Sequence, residues 1–379
     1  MYLEIIDFIR DQFKTNEFIP LHVPTFIGNE KKYVTETIES TFVSSVGKFV
    51  DRFEKELANY TGSKRSVAVV NGTSALQVAL RIAGVRRDTE VITQALSFVA
   101  TANAISYLCA HPIFVDVDKD TMGMSPSALS SFLEEYIEIK DDKAVNRKSG
   151  KVISACVPMH TFGFPCDIDG IVSICKEFNI PVIEDAAESL GSKVGDIHTG
   201  NFGVMGTLSY NGNKTITCGG GGSILVNDDS IADHAKYLTT TAKKPHKWDY
   251  FHDELGYNFR MPNLNAALAC AQLEKLDLFL NNKRKLASRY ESYFAEKGIK
   301  FRTENQGTTA NYWLMAIELE NRKERDQFLE STNKEGVMTR PIWVPLCDLP
   351  MYKDCQRDAL ENTRYFEDRI VNIPSSFRQ

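Results

Sequence analysis

The chain has 379 residues, of which 43% are hydrophobic and 25% are charged, and its formal net charge is −6. This mixture excludes a disordered chain, and the length favours two to three domains, or one large domain with an appendage. Basic residues do not cluster in one block and no apolar run is long enough to cross a bilayer, so we expect neither a nucleic-acid partner nor a membrane segment.

The N-terminal stretch MYLEIIDFIRDQF mixes apolar and acidic residues at helical spacing. It lacks a basic leader and a cleavage site, and therefore predicts an amphipathic helix rather than a signal peptide. Eight cysteines are scattered without a C-x-x-C motif. This pattern favours free thiols, a reducing cytoplasmic location and no metal site.

From residue 66 onwards, buried apolar runs alternate with helical stretches. We predict strands at residues 66–70, 90–94, 111–118, 152–159 and 181–186, and helices at 71–84, 98–108, 127–136 and 168–178. Two further helices, at 29–41 and 51–60, precede this region, and the charged stretch 137–151 is expected to be a surface loop or insertion. The alternation indicates an α/β fold with a mostly parallel sheet flanked by helices, in which ligands bind at the carboxyl ends of the strands.

The character of the sequence changes near Pro262. Residues 262–298 are helical almost throughout, and the short strands YWLMAIEL and VMTRP follow around a helix at 322–330. We therefore expect a large domain over residues 1–250, which includes the N-terminal helical segment, and a smaller C-terminal α+β domain over 251–379.

The stretch TLSYNGNKTITCGGGGSILVN, residues 207–227, contains two β-type runs joined by a polar turn. Lys214 lies in this turn among hydroxyl, amide and glycine residues, with four glycines behind it. A lone lysine in a turn is usually a solvent-exposed surface residue with no specific role. Its neighbours instead suggest an anion-binding cradle around one amine, as in enzymes that bind pyridoxal phosphate (PLP) covalently through lysine. A P-loop is excluded because no G-K-[ST] follows the glycines.

Two other strand ends carry polar groups. Asp185 ends the strand PVIEDA, where it could cap the next helix or hold the proton on a heterocyclic nitrogen, a charge that PLP needs. Thr73 and Ser74 begin a helix after Asn71-Gly72, where they could cap the helix or bind an anion.

Phe98 and His160 also follow predicted strands. Phe98 could stack on a flat ring or belong to the core, and His160 could contact a ligand or satisfy the backbone.

The order of these segments resembles the DegT/DnrJ/StrS family of sugar-nucleotide aminotransferases, from about Phe26 to Leu276 and more weakly beyond. The segments that carry the resemblance are NGTSAL, SFVATANA, PIFVDVD, VPMHTFGFPCDID, PVIEDAAESLGS, NFGVMGTLSYNGNK, the glycine run and ELGYNFRMPNLNAALACAQLEKLD. The resemblance implies PLP fold type I, the aspartate aminotransferase fold, and a homodimer with shared active sites.

The resemblance also implies roles for individual residues. Lys214 would bind PLP covalently, Asp185 would pair with the pyridine nitrogen and Phe98 would stack on the ring. The phosphate would be held by Thr73, Ser74 and Ser209, and by Asn258 of the neighbouring subunit with Arg260 nearby. Glu188 stands where many members have Gln or His against the ring hydroxyl, a contact that a carboxyl group makes only when it is protonated or through another donor.

The NGNK form of the turn, with EDAAES and LTTTAK, resembles the branch that aminates C4 of UDP-4-keto-6-deoxy-N-acetylglucosamine. The N-terminal section and VPMHTFGFP are most similar to the LegC type of legionaminic acid synthesis. L-Glutamate would be the amino donor, through pyridoxamine phosphate (PMP). Candidate substrate contacts are His160, Lys243 with its neighbours at 239–244, and Arg260; a charged mobile loop explains the lysines equally well.

Three alternatives stay open on the sequence. The enzyme could be of the bacillosamine type, which belongs to the same branch, or of the perosamine type. The protein could be a PLP-binding regulator without a glutamate half-reaction, or a nucleotide-dependent α/β enzyme that uses the glycine run for phosphates.

Overall fold

The computed structural model describes residues 2–378. Its helices are α1 Tyr2–Phe13, α2 Glu30–Glu39, α3 Lys48–Thr61, α4 Gly72–Ile82, α5 Ala100–Tyr107, α6 Pro126–Tyr136, α7 Ile168–Glu177, α8 Asp229–Thr239, α9 Asn263–Leu273, α10 Leu276–Glu296, α11 Arg322–Lys334 and α12 Glu361–Glu367. Its strands are β1 Arg65–Val69, β2 Glu90–Gln94, β3 His111–Val115, β4 Ile137–Lys140, β5 Lys143–Asn146, β6 Ile153–Val157, β7 Ile183–Asp185, β8 Lys193–Val194, β9 Ile197–His198, β10 Met205–Ser209, β11 Gly222–Val226, β12 Lys300–Phe301, β13 Thr308–Thr309, β14 Met315–Glu318, β15 Arg340–Pro341 and β16 Ile370–Ile373.

The central sheet is mostly parallel, as predicted. Strands β1-β11-β10-β7 form one part and β3-β2-β6 the other, and parallel bridges from Cys156 to Val182 and from Met159 to Asp185 join them. Only β11 runs antiparallel to its neighbours β1 and β10. The carboxyl ends of the parallel strands therefore meet along one edge, where ligands bind in such sheets.

Helices cover both faces of this sheet. Successive strand residues point to opposite faces, and the apolar residues on each face are buried by helices. Val67 and Val69 belong to a buried cluster with α4 and α8, whereas Ala68 between them belongs to another cluster with α3 and α9. Apolar residues on both faces explain why the central strands read as continuous apolar runs in the sequence.

The C-terminal part contains an antiparallel sheet of order β12-β14-β16-β15. Its core also includes Ile5 and Ile9 of α1, which pack in one cluster with Phe294 of α10 and Phe328 of α11. Helix α1 thus contacts the C-terminal elements, while α9 packs with α3 near the large sheet. The boundaries 1–250 and 251–379 stay a prediction, and these contacts cross them in both directions.

The stretch 137–151 differs from the predicted loop. It contains a hairpin in which β4 and β5 pair from Ile137 with Asn146 to Lys140 with Lys143. The turn residues Asp141 and Asp142 both have positive φ, 48° and 59°, as a tight hairpin turn requires. The turn lacks the Asn-Gly or Asp-Gly pair that is typical of such hairpins, so the hairpin has little local signature in the sequence. No helix within residues 2–378 combines the length and the apolar character needed to span a membrane.

Candidate active site

A cavity of about 690 Å³ opens at the carboxyl edge of the central sheet. Six residues predicted for the site line it together: Thr73, Phe98, Asp185, Glu188, Ser209 and Lys214. The opposite wall comes from the C-terminal part and includes Trp313, Arg340, Trp343 and Asn372. The fold therefore brings segments that are far apart in the sequence to one cavity.

One end of the cavity is built to receive an anion. Helix α4 begins there, and the side chain of Asn71 caps it by accepting a 2.8 Å hydrogen bond from the Ser74 amide. A Cβ on Gly72 would lie only 2.8 Å from the Cβ of Ser209, so glycine allows the helix start to approach the end of β10 closely. Thr73 and Ser209 line the cavity at the positive end of the helix dipole, an arrangement that suits a phosphate.

Asp185 presents a buried carboxylate at the end of β7. Its Oδ2 accepts a 2.8 Å hydrogen bond from the Thr101 hydroxyl, and its Oδ1 accepts one of 3.2 Å from the Ala187 amide. No lysine, arginine or histidine of residues 2–378 forms an ion pair with it, although it is only 6% exposed. A buried carboxylate without a cation fits a ligand that brings its own positive charge, such as a protonated pyridine nitrogen.

Lys214 projects into the cavity rather than to the surface. Its Nζ lies 3.4 Å from Glu188 Oε1 and 3.8 Å from the centroid of the Trp313 ring. Trp313 is held by a 2.6 Å hydrogen bond from its Nε1 to the carbonyl oxygen of Asn213, the residue before the lysine. The amine is therefore positioned between a carboxyl group and an aromatic face, which contradicts the surface interpretation.

Glu188 can carry a proton near neutral pH. Burial raises the pKa of its carboxyl group to about 7, although the nearby Lys214 amine and a 2.9 Å hydrogen bond from the Phe162 amide both act to lower it. A protonated Glu188 could donate a hydrogen bond, which is the condition for a contact with a ring oxygen.

Phe98 is 53% exposed and lines the cavity, so it is not a core residue. Its ring is available to a flat ligand, in line with the predicted stacking role.

The structure does not bring His160 into the lining of the cavity. The side chain is fully buried behind the cavity, with Nε2 3.0 Å from Glu184 Oε2 and with Nδ1 accepting a hydrogen bond of 3.2 Å from the Cys166 amide. Burial lowers the pKa of this imidazole, and an Nδ1 that accepts from a backbone amide belongs to a neutral ring whose Nε2 donates to Glu184. His160 therefore satisfies buried polar groups beneath β7, and its neighbour Met159 lines the cavity instead.

The other predicted contacts lie outside this chain's cavity. Asn258 is exposed and its Oδ1 accepts a 3.2 Å hydrogen bond from Arg260, while the Lys243 Nζ lies 3.7 Å from the centroid of the Tyr250 ring. Ser74 is buried at the start of α4 and contributes its backbone amide to the cap. The roles of these four residues stay predictions.

Sequence reasoning missed the wall that the C-terminal part contributes. Two of the three tryptophans of the chain, Trp313 and Trp343, line the cavity, together with Arg340 and Asn372. Each of these residues lies in or beside a strand of at most four residues, which is too short to show a periodic pattern in the sequence. The rarity of tryptophan was therefore the one feature that could have pointed to this wall.

The donor set fits PLP: an anion cradle, a buried carboxylate without a cation, an exposed aromatic ring and one amine surround the same cavity. The Lys214 side chain is 14% exposed, and its amine lies beside Trp313 and Glu188 in the wall of this cavity.

Comparison with known proteins gives one consistent result. Residues 24–378 match the DegT/DnrJ/EryC1/StrS aminotransferase family. EpsN of Bacillus subtilis is 36% identical over 335 residues, covering 88% of this chain and 84% of EpsN. The GDP-perosamine synthase of Escherichia coli O157:H7 is 35% identical over 362 residues, covering 95% of this chain and 93% of that protein.

A solved structure has the same fold. The DegT/DnrJ/EryC1/StrS aminotransferase from Brucella abortus aligns with a TM-score of 0.83 at 26% identity, over 92% of this chain and 90% of the other. This similarity confirms the predicted PLP fold type I, and members of the family use PLP and PMP as their cofactor forms. The chain therefore belongs to the DegT/DnrJ/EryC1/StrS family of PLP-dependent aminotransferases.

Proposed function

We propose that the protein transfers an amino group from L-glutamate, through PLP and PMP, to C4 of a nucleotide-linked 4-keto-6-deoxy sugar. The observation that carries this proposal is the Lys214 amine, which lies in a cavity together with the buried carboxylate of Asp185. A homodimer with shared active sites is part of the proposal, because Asn258 is exposed and lies outside its own chain's cavity.

We propose UDP-4-keto-6-deoxy-N-acetylglucosamine as the acceptor, in the synthesis of legionaminic acid or a related surface glycan. Asn211 and Asn213 of the NGNK turn line the cavity, so the segment that resembles this branch is in a position to contact a substrate. A GDP-linked keto sugar is the second candidate, because a GDP-perosamine synthase is 35% identical over nearly the whole chain.

Each residue of the site has a chemical task in this reaction. Bound PLP supplies the carbonyl that accepts the amino group and a ring that withdraws electrons from the reacting carbon. Lys214 would take the proton from Cα of glutamate and deliver it to the cofactor, and in the second half it would carry a proton back from the cofactor to C4 of the sugar. Asp185 stabilises positive charge on the ring nitrogen, and Trp313 shields the amine from water.

The central experiment follows the visible absorbance of the purified protein. The wild type should be yellow and should bleach when glutamate is added, because Lys214 is displaced as the amine form appears. Lys214→Ala should lose the colour and at least about 99% of the turnover, since both covalent binding and proton transfer need the amine. Lys353→Ala, at an exposed lysine outside the cavity lining, is the matched control and should behave as the wild type.

Full turnover by Lys214→Ala would refute the proposed role of the lysine. A wild type that binds PLP but never bleaches with glutamate would instead support the regulator alternative. A panel of UDP-, GDP- and dTDP-linked keto sugars, each assayed with glutamate, then identifies the acceptor.

A further inference from the structure

Arg340 is the only cationic side chain besides Lys214 among the residues that line the cavity within the described chain, residues 2–378. It lies in β15 and is exposed at the cavity wall. Its Nη1 donates to Asn333 Oδ1 at 3.1 Å and to the Thr339 carbonyl at 3.0 Å. Its Nε and Nη2 have no hydrogen-bond partner, and no carboxylate pairs with it, within residues 2–378. A guanidinium group with spare donors at a cavity wall is suited to a planar anion.

Asn372 supplies an independent second observation. It is 3% exposed and lines the same cavity, yet its Nδ2 is buried and has no hydrogen-bond partner among the described residues. An unsatisfied amide donor at such a position costs free energy unless a ligand accepts its hydrogen bond.

The sheet register places these two donors side by side. Arg340 of β15 pairs directly with Asn372 of β16 in an antiparallel ladder, so their side chains project from the same face of the sheet. Both belong to the wall contributed by the C-terminal part, whereas the phosphate cradle of α4 and β10 belongs to the large sheet. Hydrogen-bond donors therefore line the cavity in two separate regions, and the cradle at α4 and β10 is the one that suits the cofactor phosphate.

We propose that Arg340 and Asn372 form the subsite that binds a carboxylate of the amino donor. The inference rests on the proposed function, in which glutamate brings two carboxylates into a cavity to which the described residues of this chain contribute one other cationic side chain, Lys214. A carboxylate has two oxygens in one plane, which the guanidinium fork and the amide of Asn372 can bind together. The diphosphate of a nucleotide sugar is the other anion that this reaction brings, and the test separates the two.

The test measures equilibrium binding of glutarate, the five-carbon dicarboxylate without an amino or keto group, to the PLP-loaded enzyme by calorimetry. Arg340→Ala should raise the dissociation constant of glutarate about tenfold or more, because the charge-assisted hydrogen bonds are lost. Arg340→Lys should recover part of this loss, since it keeps the charge but not the fork. Asn372→Leu, which keeps the size and removes the donor, should raise the constant about threefold.

UDP is titrated into the same proteins to identify the anion. The dissociation constant of UDP should stay unchanged in Arg340→Ala. The control is Arg87→Ala, at an exposed arginine outside the cavity lining, and it should bind glutarate as the wild type does. Visible absorbance and thermal melting establish that each variant is folded and loaded. In the glutamate half-reaction of Arg340→Ala, the glutamate concentration that gives the half-maximal rate should rise by a larger factor than the limiting rate falls.

Two results would overturn the inference while the proposed function survives. One is a wild type that bleaches with glutamate together with an Arg340→Ala variant that binds glutarate normally. The other is loss of UDP binding with glutarate binding retained, which would assign the pair to the diphosphate. A wild type that neither bleaches with glutamate nor binds glutarate would refute the proposed function itself.

Discussion

Opposing effects act on the carboxyl group of Glu188: burial raises its pKa, and the amine of Lys214 lowers it. The raised pKa of about 7, against an ordinary value of 4.5, means that the folded protein holds this proton more tightly than the unfolded chain does. Stability is therefore lost as the pH rises from about 4.5 to about 7, and the penalty is complete above pH 7.

Glu188→Gln should remove this pH dependence because an amide does not titrate. Between pH 5 and pH 8, the free energy of unfolding of the cofactor-free variant should rise relative to the wild type by roughly 2–3 kcal/mol. Urea unfolding at both pH values measures the difference, and Glu177→Gln, at an exposed glutamate, is the control. Parallel stability profiles for Glu188→Gln and the wild type would contradict a raised pKa.

At the residue scale, the site residues that could be predicted from the sequence are those that lie at the ends of buried strands. Asp185, Ser209 and Thr73 lie directly at or after buried strands, and such ends converge in a parallel sheet. His160 also follows a strand, but its side chain points to the buried layer. The direction of one side chain at a strand end depends on local backbone geometry that the sequence does not display.

At the scale of elements, helix α10 connects the core to the cavity wall through one lysine. Lys283 is fully buried, and its Nζ donates to the carbonyl oxygens of Tyr312 at 3.3 Å, Trp313 at 3.1 Å and Ser375 at 2.5 Å. Burial lowers the pKa of this lysine to about 7. The residue fixes the backbone that carries Trp313, and thereby the ring against Lys214.

Lys283→Met should destabilise the protein by about 2–4 kcal/mol, because the buried carbonyl groups of Tyr312 and Ser375 lose this donor and that of Trp313 keeps only the Ser375 hydroxyl, at 3.0 Å. It should also weaken PLP retention, since the backbone that carries Trp313 loses one of its two supports, and the ring beside Lys214 is then held by its bond to the Asn213 carbonyl alone. Urea unfolding followed by circular dichroism and the visible absorbance after dialysis measure the two effects. Lys285→Met, on an exposed position of the same helix, should change neither, and equal losses in both variants would refute this account.

The elements that the sequence predicted and those that it missed differ in length and continuity. Strands β1, β2, β3, β6 and β7 are buried runs between clear helices and were predicted close to their observed bounds. Strand β16, IVNI, has four residues with a polar one near its centre, too few for a periodic pattern to identify it. The pairing of Arg340 with Asn372 follows from the register of β15 with β16, which joins residues 32 positions apart and has no local signature.

At the scale of the whole molecule, the proposed dimer predicts complementation between defective subunits. A subunit with Lys214→Ala keeps a normal Asn258, and a subunit with Asn258→Asp keeps a normal Lys214. In a hybrid dimer, one site combines both normal residues and the other combines both substitutions. The hybrid should therefore have roughly half the turnover of the wild-type dimer.

The hybrid is prepared by coexpression with two different tags and purified through both. Each parent homodimer is assayed beside it, and Asn258→Asp alone should be strongly impaired because the new carboxylate repels the phosphate. A hybrid no more active than the mean of its parents would mean that Asn258 does not act across subunits.

The distribution of the cavity residues along the chain also determines when the cavity can form. Its lining extends from Leu21 to Asn372, and the Ser375 amide donates a 2.8 Å hydrogen bond to the Leu21 carbonyl across 354 positions. Contacts of such high sequence separation form late, after the intervening loops have been closed. During synthesis, the large sheet can assemble while the last strand is still in the ribosome, but its cavity then lacks one wall. Loading of the cofactor in its final geometry is therefore a step that follows synthesis and docking of β16.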